Sequence, residues 1–336
     1  MRRRVGLVTT ALLGALALAG CSGNQSRDDL QSAPTLAAAA PAASPPPAAK
    51  PAGTVLALPG NASAMVVDPA SGTLAVAVER PAELVLFSLH DLTKAPVTIP
   101  LPGAVGNLSV EQPGGPVLAP VATANEVLAV PVTGGTPAVV KVAGGPTSAA
   151  LFRGKLLVTV PKRNAIDEIT GTKVTRTITG EVNPEQILVA DGKTVMLDRI
   201  RSAVFDVNAV NGTVGAGLRA GQGATNAAVD GYGRVLVTDT RTGLLLAFSA
   251  DPVLERQSVP APGVPYGIAV DTTRNVAWVT ATRTNEVIGY QLTGSQPVRK
   301  YRLPTVRQPD TVAVDPVSGR VFVASADGGG VQVMQP

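Results

Sequence analysis

The chain has 336 residues, room for one large or two ordinary domains, and 45% of them are apolar, enough for a sizeable core. Aromatic residues are only 3%, so that core must be built from Val, Leu, Ala and Ile, while 35 Gly and 29 Pro predict many turns. The formal charge of +4 belongs largely to the first residues: without residues 1–20 the chain loses Arg2, Arg3 and Arg4 and stands at +1, which gives no reason to expect nucleic acid as a partner.

The N-terminus reads MRRRVGLVTTALLGALALAGC. Three arginines, an apolar stretch from Val5 to Ala19 and small residues before Cys21 have the layout of a secretory signal. The apolar stretch is too short for a comfortable membrane span. Leu18-Ala19-Gly20-Cys21 resembles a bacterial lipobox, which implies cleavage after residue 20, lipidation of Cys21 and attachment to the extracytoplasmic side of the cell membrane. An ordinary signal peptide with a chance cysteine is the alternative. Cys21 is the only cysteine, so the exported part has no disulfide. Residues 21–52 continue in Ala, Pro and Ser and are expected to form a disordered tether with nothing to pack, spanning several tens of Å at about 3.1 Å per residue.

From residue 53 the sequence repeats. Short apolar segments end at Asp68, Glu111, Phe152, Asp191, Asp230, Asp271 and Asp315, spaced 43, 41, 39, 39, 41 and 44 residues apart. A turn follows each, usually with Gly, then an alternating run such as TLAVAV, RVLVTD, VAWVTA or RVFVAS. A third segment (ELVLFS, GLLLAF, EVIGYQL) and a more polar fourth (QSVPAPG, VRKYRLP) close the unit. Period-two alternation bounded by turn residues predicts strands. Four strands in about forty residues, seven times over, predict an all-β seven-bladed β-propeller over 53–336. A pair of β-sandwiches is the alternative architecture, but it does not require the repeat. The seventh unit stops after its third strand, and GTVLALPG at 53–60 resembles the fourth strands of other units. The N-terminal strand is therefore expected to complete the last blade and to cover its edge.

The recurring V-A-V-D-P-x-S-G-x-[LV]-x-V-A pattern resembles exported YVTN-type and NHL-type propellers. With the lipobox and the Ala/Pro tether, the whole chain is similar to the mycobacterial LppL-type lipoproteins, most closely in LRAGQGATNAAVDGYGRVLVTDTRTGLLL and GVPYGIAV. The resemblance implies architecture and leaves activity open, because propellers host many functions.

Few residues of the chain carry the means for catalysis. His90 is the one histidine, on the way into a turn, so no Ser-His-Asp, Cys-His or His-rich zinc arrangement can be assembled. GQGATN at 221–226 has glycines but no strand–loop–helix around it, and a phosphate loop is not expected. Two constellations remain. The first lies where inner strands begin around the channel: Asn61, Asn107, Glu185, Asn226, Tyr266 and Asp310. Of these Asn107, Glu185, Asn226 and Asp310 offer oxygens to calcium or another divalent cation, as in a metal-dependent hydrolase or lactonase; the alternative is that they cap strand ends and hold water. The second is basic: Arg80, Lys162 with Arg163, Arg199 with Arg201, Arg241 and Arg283 occupy one equivalent turn in five blades. Arg80, Arg163, Arg201, Arg241 and Arg283 are the candidate face for an anionic ligand or an envelope protein, with solvated repeat turns as the alternative. A monomeric binding or scaffolding module without cofactor is the expectation.

Overall fold

The computed structural model describes residues 37–180 and 182–336. Seven four-stranded antiparallel sheets form a ring, one for each sequence unit. The inner strands are Ala62–Asp68, Ser109–Val110, Ser148–Phe152, Pro184–Ala190, Ala224–Val229, Pro265–Asp271 and Pro309–Val314. Each touches the next, and the last touches the first, so the ring is closed. The only helical element among the described residues is a 3-10 turn at Pro161–Arg163.

The seventh blade is completed by the N-terminal strand. Thr54–Leu56 pairs antiparallel with Val331–Met334, with Val55 opposite Gln332. The two ends of the chain thus share one sheet, and an edge that would template aggregation is paired.

The hydrophobic pattern has a direct cause in this geometry. A second strand is sandwiched between two neighbouring blades and is buried on both faces, as Thr73–Val78, Val276–Ala281 and Val321–Ser325 are along their whole length. Outer strands such as Lys173–Thr179 and Val298–Pro304 are mostly exposed and carry the polar residues. The core is accordingly not one mass. It is seven clusters, one at each blade-to-blade interface, such as Leu188, Val195, Val237 and Phe248 between blades 4 and 5. Small apolar residues suit the narrow wedge between twisted sheets, which accounts for a core poor in aromatics.

The repeated aspartates hold the turns after the inner strands. Asp68, Asp230, Asp271 and Asp315 are all at most 4% exposed. Asp315 accepts the N–H of Val317 at 3.0 Å, Asp271 those of Thr273 and Arg274 at 3.0 and 2.9 Å, and Asp230 that of Tyr232 at 2.9 Å. These are Asx turns, in which the carboxylate stands in for a main-chain acceptor. Asp68 reaches further and accepts the N–H of Gly114 in blade 2 at 3.1 Å. The Ser-Gly that follows supplies a left-handed residue, with φ of 65° at Gly72 and 79° at Gly319.

Residues 37–52 depart from the expected tether with nothing to pack. They run as an extended arm across the ring. Ala39 and Ser44 are buried, and Ala52 donates to the Pro304 carbonyl at 3.1 Å. The physical reason lies in the main chain: an Ala/Pro segment has little side chain to bury, but its carbonyls and amides pair with polar side chains of the propeller. The signal segment, Cys21 and the rest of the tether lie outside the described residues.

Candidate functional site at the channel mouth

In five blades the pairing of inner and second strands slips within the first residues of the inner strand, between Ala62/Ala64, Pro184/Gln186, Ala224/Ala227, Pro265/Ile268 and Pro309/Thr311. The residues left unpaired by the slip include Ser63, Glu185, Asn226, Tyr266 and Asp310. A bulge re-aims a side chain, and here it brings polar groups to the channel mouth. Four of those positions are among the residues the sequence singled out.

The channel encloses about 310 Å³, lined at its polar end by Asn107, Gln186, Arg199, Asn226, Tyr266 and Asp310. A side cavity of about 70 Å³ shares Asn107, Gln186, Arg199 and Asn226 and adds Glu185. The two acids therefore line different cavities. Burial raises the pKa of Glu185, against the opposing charge of Arg199 and with Asp198 adding to the rise. Burial likewise pushes the Asp310 carboxyl up to about 6, although the Gln308 amide donates to it at 2.7 Å. Asn226 is spent on the fold, its Nδ2 donating to the Tyr266 carbonyl at 3.1 Å. Asn61 accepts the amide of Glu79 through its main chain at 3.0 Å. Among the described residues no three His, Cys, Asp or Glu side chains gather in a way that would hold a metal ion.

All five arginine-bearing turns join second to third strands, as the sequence predicts, but their side chains have different employment. Arg163 pairs with Asp167 at 2.7 Å and Arg201 with Asp198 at 3.3 Å. The carboxylate of Asp239 accepts the amides of Arg241 and Thr242 at 3.2 and 3.3 Å, while the Arg241 guanidinium donates to the carbonyls of Gln222 and Ala37 at 2.9 and 2.6 Å. Arg80 and Arg283 are exposed, and among the described residues neither guanidinium has an ion-pair partner. The glycines of 221–226 serve packing: a Cβ on Gly221 would lie 1.8 Å from the Asp239 carboxylate, and one on Gly223 would meet Arg241 and Ala39. His90 is an exposed turn residue beside Gly72.

The arm crosses this same face. Arg199 donates to the Ala39 carbonyl at 2.9 Å, and Arg307 to that of Ser44 at 3.3 Å. Gln308 accepts the Ser44 amide at 2.9 Å and donates to the Ala42 carbonyl at 3.0 Å. Thr282 accepts the Ala42 amide at 3.0 Å, and Asn285 donates to the Pro45 carbonyl at 2.8 Å.

No family model matches the chain, and no curated protein matches it in sequence. Solved structures match it along most of its length. Hydrazine synthase of Kuenenia stuttgartiensis superimposes with a TM-score of 0.71 at 16% identity, over 84% of this chain and 97% of that one. A streptogramin B lyase gives 0.70 at 11% identity, over 83% and 95%. A catalytically inactive virginiamycin B lyase from Staphylococcus aureus, solved with quinupristin, gives 0.69 at 14% identity, over 83% and 97%. The likeness is one of fold. At these identities the neighbours confirm a β-propeller and carry no activity across to it.

Sequence reasoning placed Arg199 in a basic turn but not in the channel, and it missed Thr282, Asn285, Arg307 and Gln308 altogether. Their role is to meet a main chain, which leaves no mark in the repeat.

Proposed function

We propose that this protein is a lipid-anchored, extracytoplasmic propeller that binds or scaffolds a ligand of the cell envelope on its mouth face. The observation that carries the reading is the pair of exposed arginines, Arg80 and Arg283, left without ion pairs on a face where Arg163 and Arg201 are neutralised. Arg241 holds only carbonyls, so its charge also remains uncompensated by a carboxylate. Cations grouped on one face of a nearly neutral chain suit an anionic ligand or an acidic envelope protein. Single exposed pairs contribute only about 0–1 kcal/mol, so several must act together, and salt must weaken the complex.

Capture of partners from cell-envelope extract tests this. Arg80→Ser with Arg283→Ser should lose partners that wild type retains at low salt, with the ring still folded. Recovery of the same partners by both at low and high salt would show these arginines to be solvated turns. The lipobox supports the anchor, and Cys21→Ala should leave the membrane fraction; unchanged retention would refute it.

A second reading is favoured by Asp310, a carboxyl that lines the channel together with Asn107 and Asn226. Their oxygens suit calcium or another divalent ion in a hydrolase, with Glu185 in the side cavity beside them. A stoichiometric metal lost on Asp310→Ala, together with esterase or lactonase activity, would support this reading over the binding module.

A further inference from the structure

The mouth face already holds a peptide. Residues 37–45 lie extended over blades 4 to 7, gripped by side chains of the propeller through their own main chain. Arg241 and Arg199 take the carbonyls of Ala37 and Ala39 at 2.6 and 2.9 Å. Gln308 offers both an acceptor and a donor, at 2.9 Å to the Ser44 amide and 3.0 Å to the Ala42 carbonyl, much as a residue of a neighbouring strand would. Thr282 and Asn285 supply an acceptor for Ala42 and a donor for Pro45.

These contacts recognise a particular kind of chain. None reads a charge or a large side chain on the arm; the one arm side chain that is read is the small Ser44, whose hydroxyl donates to the Thr282 carbonyl. Ala39 is 5% exposed, and a Cβ on Gly223 would already meet its methyl at 3.0 Å, so only a small residue fits there. Pro41 and Pro45 keep the segment extended and carry no N–H group that would need a partner. The grip is also releasable, because Ala39 and Ser44 are the only buried residues of 37–45.

Resting on the reading of this face as the ligand surface, we propose that it is a site for extended, small-residue, proline-containing peptide. Residues 37–45 fill it in cis. The partner it fits in trans is another Ala/Pro-rich segment of that kind, which must displace the arm. A tethered occupant competes at high effective concentration, so the arm sets a threshold for the partner.

The probe is a fluorescent peptide with the sequence of residues 37–47, AAAAPAASPPP, titrated by anisotropy. Protein lacking residues 24–45 retains the closing strand and should bind it. Full-length Ala39→Leu, which ejects the arm by the Gly223 clash without removing any chain, should bind it too. Wild type should bind at least about tenfold more weakly because its own arm competes. Gln308→Ala in the deleted protein should weaken binding several-fold. Failure of both the deletion and Ala39→Leu to bind the peptide, or equal binding by wild type, would overturn the proposal. If the peptide fails while salt-dependent capture through Arg80 and Arg283 persists, this proposal falls and the reading of the face as a ligand surface stands.

Discussion

Asp310 and Asp315 stand five residues apart at opposite ends of one inner strand and face opposite fates. Asp315 folds back on its turn, accepting the amide of Val317 at 3.0 Å. Asp310 sits at the channel mouth with one amide donor, Gln308 at 2.7 Å, and burial holds its pKa at about 6 against a usual 3.8. The consequence for stability has a definite sign. Below pH about 4 the carboxyl is protonated whether folded or not, and burial exacts no charge penalty. As pH rises from about 4 to about 6 the unfolded chain ionises more readily, so stability falls, and above that window the penalty is complete. Asp310→Asn keeps an oxygen for Gln308 and removes the charge. It should stabilise the protein by about 1–3 kcal/mol above pH 6 and leave it nearly unchanged below pH 4, read as urea midpoints at the two pH values. Equal shifts at both would show that the carboxyl is not ionising in a buried site.

At the scale of elements, the closing strand and the arm are neighbours in sequence with unequal roles. Thr54–Leu56 completes the seventh blade, and Leu56 and Leu58 pack against the cluster between blades 7 and 1. Deleting residues 53–58 exposes a paired edge and opens that cluster. It should lower the melting temperature by about 5–10 °C or more and promote aggregation. The arm gains a handful of mostly part-buried hydrogen bonds, about 0.5–1.5 kcal/mol each, against about 1–2 kcal/mol per residue for ordering its backbone. Deleting residues 24–45 should therefore move the transition by no more than a few degrees. Equal melting temperatures for the two deletions would argue against strand closure as described. These two elements also mark how far the sequence can be read. Val55 and Leu56 belong to an alternating pattern repeated in six other units, so their pairing was legible. Ala39 and Ser44 sit in a stretch whose composition says only that it cannot form a core; what holds it is a scatter of donors from four blades, and no local pattern encodes that. The site divides the same way. Glu185, Asn226 and Asp310 were legible because they recur at one position of the repeat, whereas the bulges that turn Asn226 and Asp310 into the channel and Glu185 into the side cavity depend on pairing across strands.

For the whole molecule, ring closure separates two faces with different chemistry. On one, Asp68, Asp230, Asp271 and Asp315 are folded into their own turns. On the other, Arg80, Arg241 and Arg283 stand exposed and Arg199 reaches into the channel. The arginine-bearing face is thus the working face of the proposed function. Amide hydrogen exchange on the full-length protein, with and without envelope extract retained by it at low salt, tests that claim most directly. Protection should appear in the turns at 79–82 and 282–285 and vanish at high salt. Protection confined instead to the turns at 69–72, 231–233 and 316–319, on the opposite face, would contradict it.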